Sequence, residues 1–374
     1  MIRLHEENEA VAKYSVIKED IKQRLISGEW TEGYRLPSSR EFARYYESSV
    51  NTIEKAIKEL TEEGWLIRDS RRGTFMNKEK EILQGGTRLV AAFVFGIDNP
   101  IWATALRGVE DVLFLRGYQL LSSSDDRNLE KLESLVRGAV ERKVEGVILS
   151  PFMSEGHEEI NNRIFSLLQD HGIKYISLDR VVYNTSIPYV TSDNIAGAYN
   201  LTKLLIEQGH RQMLFIKNSN ISTINERLMG FKQAIVDSGL PYSHEFEVFI
   251  PTKYEDFSDE FDHYCDVLER KMKEMSFTAV FTANDQIAEA ALRSLQSMNV
   301  RVPEDVSLVT YDAENLNRRI KLNVTGITQP FYEMGQCAAG LLLNMIDGNE
   351  DQLFYGQVCK SNIYIGETVR PIGT

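Results

Sequence analysis

The chain has 374 residues, 43% hydrophobic and 26% charged, with 42 Lys/Arg against 55 Asp/Glu and a net charge of −13. That length is long for one core and points to two or three globular units, and the composition excludes a disordered chain. The acidic balance argues against wholesale nucleic-acid coating, but residues 1–78 hold 14 Lys/Arg and 14 Asp/Glu, so all the excess lies in the later part. Three cysteines, Cys265, Cys337 and Cys359, match neither a disulfide framework nor a zinc site and read as buried thiols. No secretory leader or apolar membrane run is evident, so the expected location is cytoplasmic.

Tyr14, Ile17, Ile21 and Leu25 recur at helical spacing and predict a first buried face. Gly28 and Gly33 end that helix. Ser38 or Ser39 can cap a second helix running to about Tyr46. Ser48 and Ser49 offer caps for a third, with Val50, Ile53, Ala56, Ile57 and Leu60 expected inward and Gly64 as its stop. Trp65–Arg68 and Gly73–Met76 then read as a hairpin around Arg71 and Arg72. Helix, helix, turn, helix and wing make a winged helix-turn-helix, a shape that fits the DNA major groove.

These residues carry a resemblance. Tyr14, Gly28, Gly33, Leu36-Pro37-Ser38, Arg40, Ala43, Asn51-Thr52, Ala56, Leu60, Gly64 and Gly73-Thr74-Phe75 are similar to the DNA-binding domain of GntR-family regulators. The resemblance implies DNA contacts at Arg40, Ser48, Ser49, Asn51, Thr52, Arg71 and Arg72. Short polar side chains in the first turn of the third helix suit base edges or phosphates, and arginines at a wing tip suit the backbone or minor groove. Val50 and Glu54 stand where that family usually carries cations, and Glu54 is a candidate acceptor for a cytosine amine.

Residues 79–87 read as a linker around Gly85-Gly86. From 88 to 374, strands alternate with amphipathic helices. Strands are expected at Leu89–Phe95, Gln119–Ser123, Gly146–Ser150, Lys174–Leu178, Gln212–Ile216, Glu247–Ile250, Ala279–Phe281 and Ser307–Thr310. The alternation predicts an α/β body of doubly wound parallel sheets, in which ligands bind at the carboxyl ends of strands. No Gly-rich phosphate loop follows a strand, and no HExxH or GxSxG motif occurs, so neither cofactor, metal nor catalytic residue is expected.

Strand ends instead carry Asp98-Asn99-Pro100-Ile101-Trp102, Asp179-Arg180, Asn284-Asp285-Gln286 and Tyr311-Asp312, with Gln329 trailing a Gly-Ile-Thr. Acid, amide and guanidinium together satisfy hydroxyls that both donate and accept, and an aromatic ring can cover a sugar's C–H face. These stretches, with Ser192-Asp193-Asn194, Glu226–Phe231 and Val302–Asp312, resemble the LacI/GalR-type effector domain, itself similar to periplasmic sugar-binding proteins. That resemblance implies ligand contacts at Asn99, Trp102, Asp179, Arg180, Arg227, Asn284, Asp312 and Gln329. It also implies two lobes, expected as 88–190 with about 324–346, and 191–323 with about 347–374.

A GntR-like head on a LacI-like body is the layout of arabinose repressors of Gram-positive bacteria. The expected protein is a non-enzymatic, ligand-responsive repressor of a carbohydrate operon. Its partners would be double-stranded operator DNA, a monosaccharide effector and a second copy of itself. A purine-type effector, or activation in place of repression, is the alternative.

Overall fold

The computed structural model describes residues 14–22, 24, 25, 30, 35–69, 72–77, 86–97, 99–152, 157–252, 258–348 and 356–372. The chain divides into two compact units, residues 1–88 with 114–118, and residues 89–113 with 119–374. Most of the expected linker and wing residue Arg71 lie outside the described residues.

In the head, residues 14–22 are helical and place Ile17 and Ile21 in a core with Leu36, Phe42, Ile53, Ala56, Ile57, Leu60 and Leu66. The second helix, Ser39–Tyr45, starts in a capping box: Ser38 Oγ receives the Glu41 N–H, and the Glu41 carboxylate receives the Ser38 N–H at 2.7 Å. The third helix, Val50–Glu62, is capped by Ser49. It ends at Gly64, whose φ of 79° lets the Trp65 N–H reach the Leu60 carbonyl at 2.8 Å. Val50, expected inward, is 42% exposed, because as the first helical residue it precedes the stripe made by Ile53, Ala56, Ile57 and Leu60. Strands β1 (Leu66–Asp69) and β2 (Gly73–Met76) pair antiparallel to form the wing.

The body is built on two six-stranded sheets. The first contains β3 (Leu89–Val94), β4 (Gln119–Ser124), β5 (Gly146–Leu149), β6 (Lys174–Leu178), β7 (Tyr189–Ser192) and β13 (Gly356–Cys359), ordered β13-β7-β6-β5-β3-β4 and parallel throughout. The second contains β8 (Met213–Lys217), β9 (Glu247–Phe249), β10 (Ala279–Thr282), β11 (Ser307–Tyr311), β12 (Thr325–Thr328) and β14 (Asn362–Tyr364), ordered β14-β12-β11-β10-β8-β9. Only the β12–β14 pair is antiparallel. The central strands β5, β8, β10 and β11 are buried along their whole length, as unbroken apolar runs flanked by helices should be.

The chain passes between the lobes three times: from β7 into the helix Asn194–Glu207, from β12 into the helix Phe331–Ile346, and from β13 into β14. This corrects the expected lobe boundaries. Residues 325–328 belong to the second sheet rather than the first lobe, and residues 356–359 to the first sheet rather than the second lobe. The helix Phe331–Ile346 packs on β5, β6 and β7 of the first lobe, as expected. His210 is buried and bonded to Thr278 Oγ1 and the Arg370 carbonyl, which fits a structural role.

Helix Phe331–Ile346 lies close against helix Pro100–Leu115. A Cβ on Gly335 would stand 2.0 Å from the Ala105 carbonyl oxygen, and one on Gly108 would stand 2.1 Å from that of Tyr332. Backbone cannot yield as a side-chain tip does, so Gly335→Val should cost at least the about 1–3 kcal/mol typical of overpacking. In urea unfolding its midpoint falls accordingly. Gly340→Ala, with nothing within 4 Å of the new Cβ, leaves the midpoint unchanged or raises it slightly.

Candidate nucleic-acid interface and effector cleft

In the head, Arg40, Ser49 and Asn51 are exposed, while Ser48 and Thr52 are half-buried. Ser49 Oγ receives the Thr52 N–H at 3.1 Å and shares a 2.7 Å hydrogen bond with its hydroxyl, so this pair shapes the helix start. Arg72 is exposed, its guanidinium 5.6 Å from the Phe75 ring. Glu54 does not present a free acceptor. Its carboxylate takes both Arg68 guanidinium hydrogens, at 2.8 and 3.0 Å, and the Ser39 hydroxyl. These bonds, the Arg68 pair first, hold its carboxyl below the usual range. Glu54 therefore ties the wing strand to the third helix.

In the body, a cleft of about 290 Å³ opens at the strand ends of both lobes. Seven of the eight expected ligand residues line it: Asn99, Trp102, Asp179, Arg227, Asn284, Asp312 and Gln329. Asp98 lies outside the described residues. Asp179 ends β6 and Asp312 ends β11, both in the left-handed region (φ 74° and 60°). Aspartate tolerates this better than most residues, and the turn carries each carboxylate off its strand and into the cleft.

Arg227 is 4% exposed. Its guanidinium stacks 4.0 Å from the Tyr311 ring, donates to the Ala283 carbonyl at 2.8 Å and to Asn194 Oδ1 at 2.9 Å, and lies 3.9 Å from Asp312. Gln329 Nε2 donates to Asp312 Oδ1 at 2.6 Å, and Gln329 Oε1 receives the Ser192 hydroxyl at 2.5 Å. Burial pushes the Asp312 carboxyl up to about 6, against the pull of Arg227. Burial raises the Asp179 carboxyl too, opposed by Arg180 and Arg227. Asn99 and Asn284 each accept a backbone N–H at the start of a helix, from Ile101 and Ile287, so their capping role and their place in the cleft coexist.

Arg180 does not line the cleft. It sits behind Asp179, donating to the Pro151 carbonyl at 3.1 Å and stacking 4.3 Å from the Phe95 ring, and burial pulls its guanidinium down to about 10. Trp102 is buried between Phe95, at 4.9 Å, and Phe331, at 6.0 Å, while still lining the wall. The sequence reading missed Phe95, Thr223, Asn315 and Arg319. Of these, Asn315 and Arg319 follow Asp312 at helical spacing and both donate to Asp285, a signal readable once 313–319 is a helix. Among the described residues no cluster of His, Cys, Asp and Glu suits a metal ion, and no helix is long and apolar enough to cross a membrane.

Comparison with known proteins agrees with this division. Residues 13–76 match the model for bacterial regulatory proteins of the gntR family, and residues 202–354 match a periplasmic binding protein-like domain. The chain joins a GntR-type head to a periplasmic-binding-protein-like body. An arabinose metabolism transcriptional repressor of Geobacillus stearothermophilus is 28% identical over 336 residues, covering 90% of this chain and 91% of its own. The body's fold is that of LacI-family regulators. CcpA of Lactococcus lactis superposes with a TM-score of 0.66 at 20% identity, over 75% of this chain and 99% of its own. A ribose-bound LacI family regulator of Enterococcus faecium gives 0.62 at 25% identity, over 76% and 100%. The GntR-type head and the regulators the chain resembles make this a DNA-binding transcriptional regulator.

Removing Arg227 leaves two buried carboxylates without their shared cation. Arg227→Met should destabilise the body by about 3–5 kcal/mol at pH 7.5, the usual loss on breaking a buried pair. A raised folded-state carboxyl costs stability when ionised, fully above its folded pKa and progressively less as pH falls toward the unfolded value. Without Arg227 the Asp312 carboxyl rises further, so the deficit relative to wild type shrinks in urea melts as pH falls from 7.5 and is small by about 6.

Proposed function

We propose that this regulator represses a carbohydrate-utilisation operon and releases its operator when a monosaccharide, a pentose such as L-arabinose first, occupies the cleft between the lobes. The observation that carries this reading is the Asp179–Arg227–Asp312–Gln329 set beside Trp102 and Phe95. It offers buried acceptors and donors in a fixed arrangement with an aromatic wall, which is what a polyhydroxylated ring requires. A cleft of about 290 Å³ lies at the small end of ligand sites, which start near ~300 Å³, and suits one sugar ring. The arabinose-repressor relative and the ribose-bound neighbour support a pentose.

The chain acts as a homodimer on this reading, because a two-fold protein presents two heads to a pseudo-palindromic operator. Arg40, Ser48, Ser49, Asn51, Thr52, Arg71 and Arg72 are its DNA contacts. Action on chromosomal DNA places it in the cytoplasm. Sugar and operator then oppose each other by the same factor in both directions.

A thermal-shift panel of pentoses, hexoses, sugar phosphates and nucleobases tests the effector. A pentose should raise the midpoint most; a nucleobase shift with no saccharide shift overturns the sugar reading. Arg40→Ala should abolish retardation of the chain's own promoter DNA while leaving sugar affinity unchanged, and unaltered retardation removes Arg40 from the interface.

A further inference from the structure

A second cavity, about 400 Å³, lies beside the first crossing between the lobes and shares no lining residue with the effector cleft. Its walls include Tyr183 from the loop after β6, Ser192 and Asn194 from the crossing, and Glu226 from the helix Ser222–Asp237. Across it the lobes are clasped. Tyr183 of the first lobe donates to Glu226 Oε1 of the second at 2.7 Å, and the Val181 N–H reaches Ser222 Oγ at 3.0 Å. Burial pushes the Glu226 carboxyl up, countered by its bonds from Tyr183 and Asn194.

Asn194 is 1% exposed and stands where the chain enters the second lobe. Its amide is used from both ends. Oδ1 receives the Arg227 Nε–H at 2.9 Å, and Nδ2 donates to Glu226 Oε2 at 3.1 Å. Its carbonyl receives the Tyr311 hydroxyl at 2.8 Å, so backbone and side chain are both fixed. Glu226 and Arg227 are consecutive on one helix, one facing each cavity. The chain Asp312–Arg227–Asn194–Glu226–Tyr183 therefore runs from effector cleft to inter-lobe clasp. Gln329 and Ser192 close it into a ring around the first two crossings. The third crossing joins through the Asp193 N–H, which donates to the Cys359 carbonyl at 2.8 Å.

We propose that Asn194 is a positioning residue that fixes the Arg227 guanidinium for the effector and couples effector occupancy to the Tyr183–Glu226 clasp between the lobes. Polar networks of this kind are worth more than their separate bonds, and one amide cannot shift toward either partner without disturbing the other. An effector that draws on Arg227 and Asp312 acts on the same amide that holds Glu226. This rests on the cleft being the effector site.

The test is calorimetric titration of the full chain with L-arabinose as probe, at pH 7.5, in wild type, Asn194→Ala, Asn194→Asp, Tyr183→Phe and the Asn194→Ala/Tyr183→Phe double variant. Asn194→Ala should lose affinity at least tenfold. Asn194→Asp keeps the oxygen that receives Arg227 but sets a second oxygen against Glu226 in place of the donor, so it too should change affinity at least threefold. Tyr183→Phe, though Tyr183 lines no part of the cleft, should change affinity at least threefold, and that change should vanish in the Asn194→Ala background. Equal affinity of Tyr183→Phe and wild type, or an equal Tyr183→Phe effect in both backgrounds, overturns the coupling. If wild type binds no arabinose, the pentose reading fails separately. The same cycle read by urea midpoints without sugar then decides: non-additive shifts uphold the network, and additive shifts overturn it.

Discussion

The body depends on one buried charge arrangement: the Arg227 guanidinium held between Asp312, Asn194 and the Tyr311 ring. Taking a carboxylate out of water is expensive, and the Asp312–Arg227 separation of 3.9 Å recovers only part of that cost. Gln329 supplies a further donor at 2.6 Å, yet the Asp312 carboxyl still rests well above its ordinary range. A group kept in that condition is poised for a partner. On the proposed reading, a hydroxyl-rich ligand would supply the missing donors and displace water from a site already desolvated.

The topology explains why such a site arises here. Parallel strands β6, β10 and β11 all deliver their carboxyl ends to one level, and left-handed turns at Asp179 and Asp312 carry acid side chains off the strands. Because the chain crosses between lobes at 192–194 and 328–331, Gln329 lines the cleft, and Ser192 and Asn194 bond to residues that line it. Ser192 and Gln329, from two different crossings, meet at 2.5 Å. Cleft and crossings thus share side chains, and on the proposed reading an effector that engages one acts on the other.

Much of this was legible in the sequence, for physical reasons that also mark the limits. Central strands are apolar runs bounded by chemistry-bearing residues, so Asp179, Asn284 and Asp312 could be placed at strand ends, and Gln329 followed from family resemblance. Strands β12 (Thr325–Thr328) and β13 (Gly356–Cys359) are four residues long and carry no unbroken apolar run to announce them. Which sheet they join is settled by pairing alone, and that is where the lobe boundaries were misplaced. Phe95 and Thr223 reach the cleft through tertiary geometry, not spacing. Arg180 carried the right chemistry but faces Pro151 and Phe95 behind Asp179. Glu54 shows the converse: its ion pair with Arg68, fourteen residues on, left no mark in the local sequence pattern.

The most direct test of the account is the pH dependence of L-arabinose affinity in the full chain, measured calorimetrically from pH 8 to pH 5. If hydroxyls donate to an ionised Asp312, affinity is constant above about pH 6. It then falls by up to about tenfold per pH unit below that, as the ligand must displace a proton. In Asp312→Asn the affinity is weak and this fall is absent. A wild-type affinity that stays flat or rises down to pH 5 contradicts the claim that the buried Asp312–Arg227 centre reads the sugar.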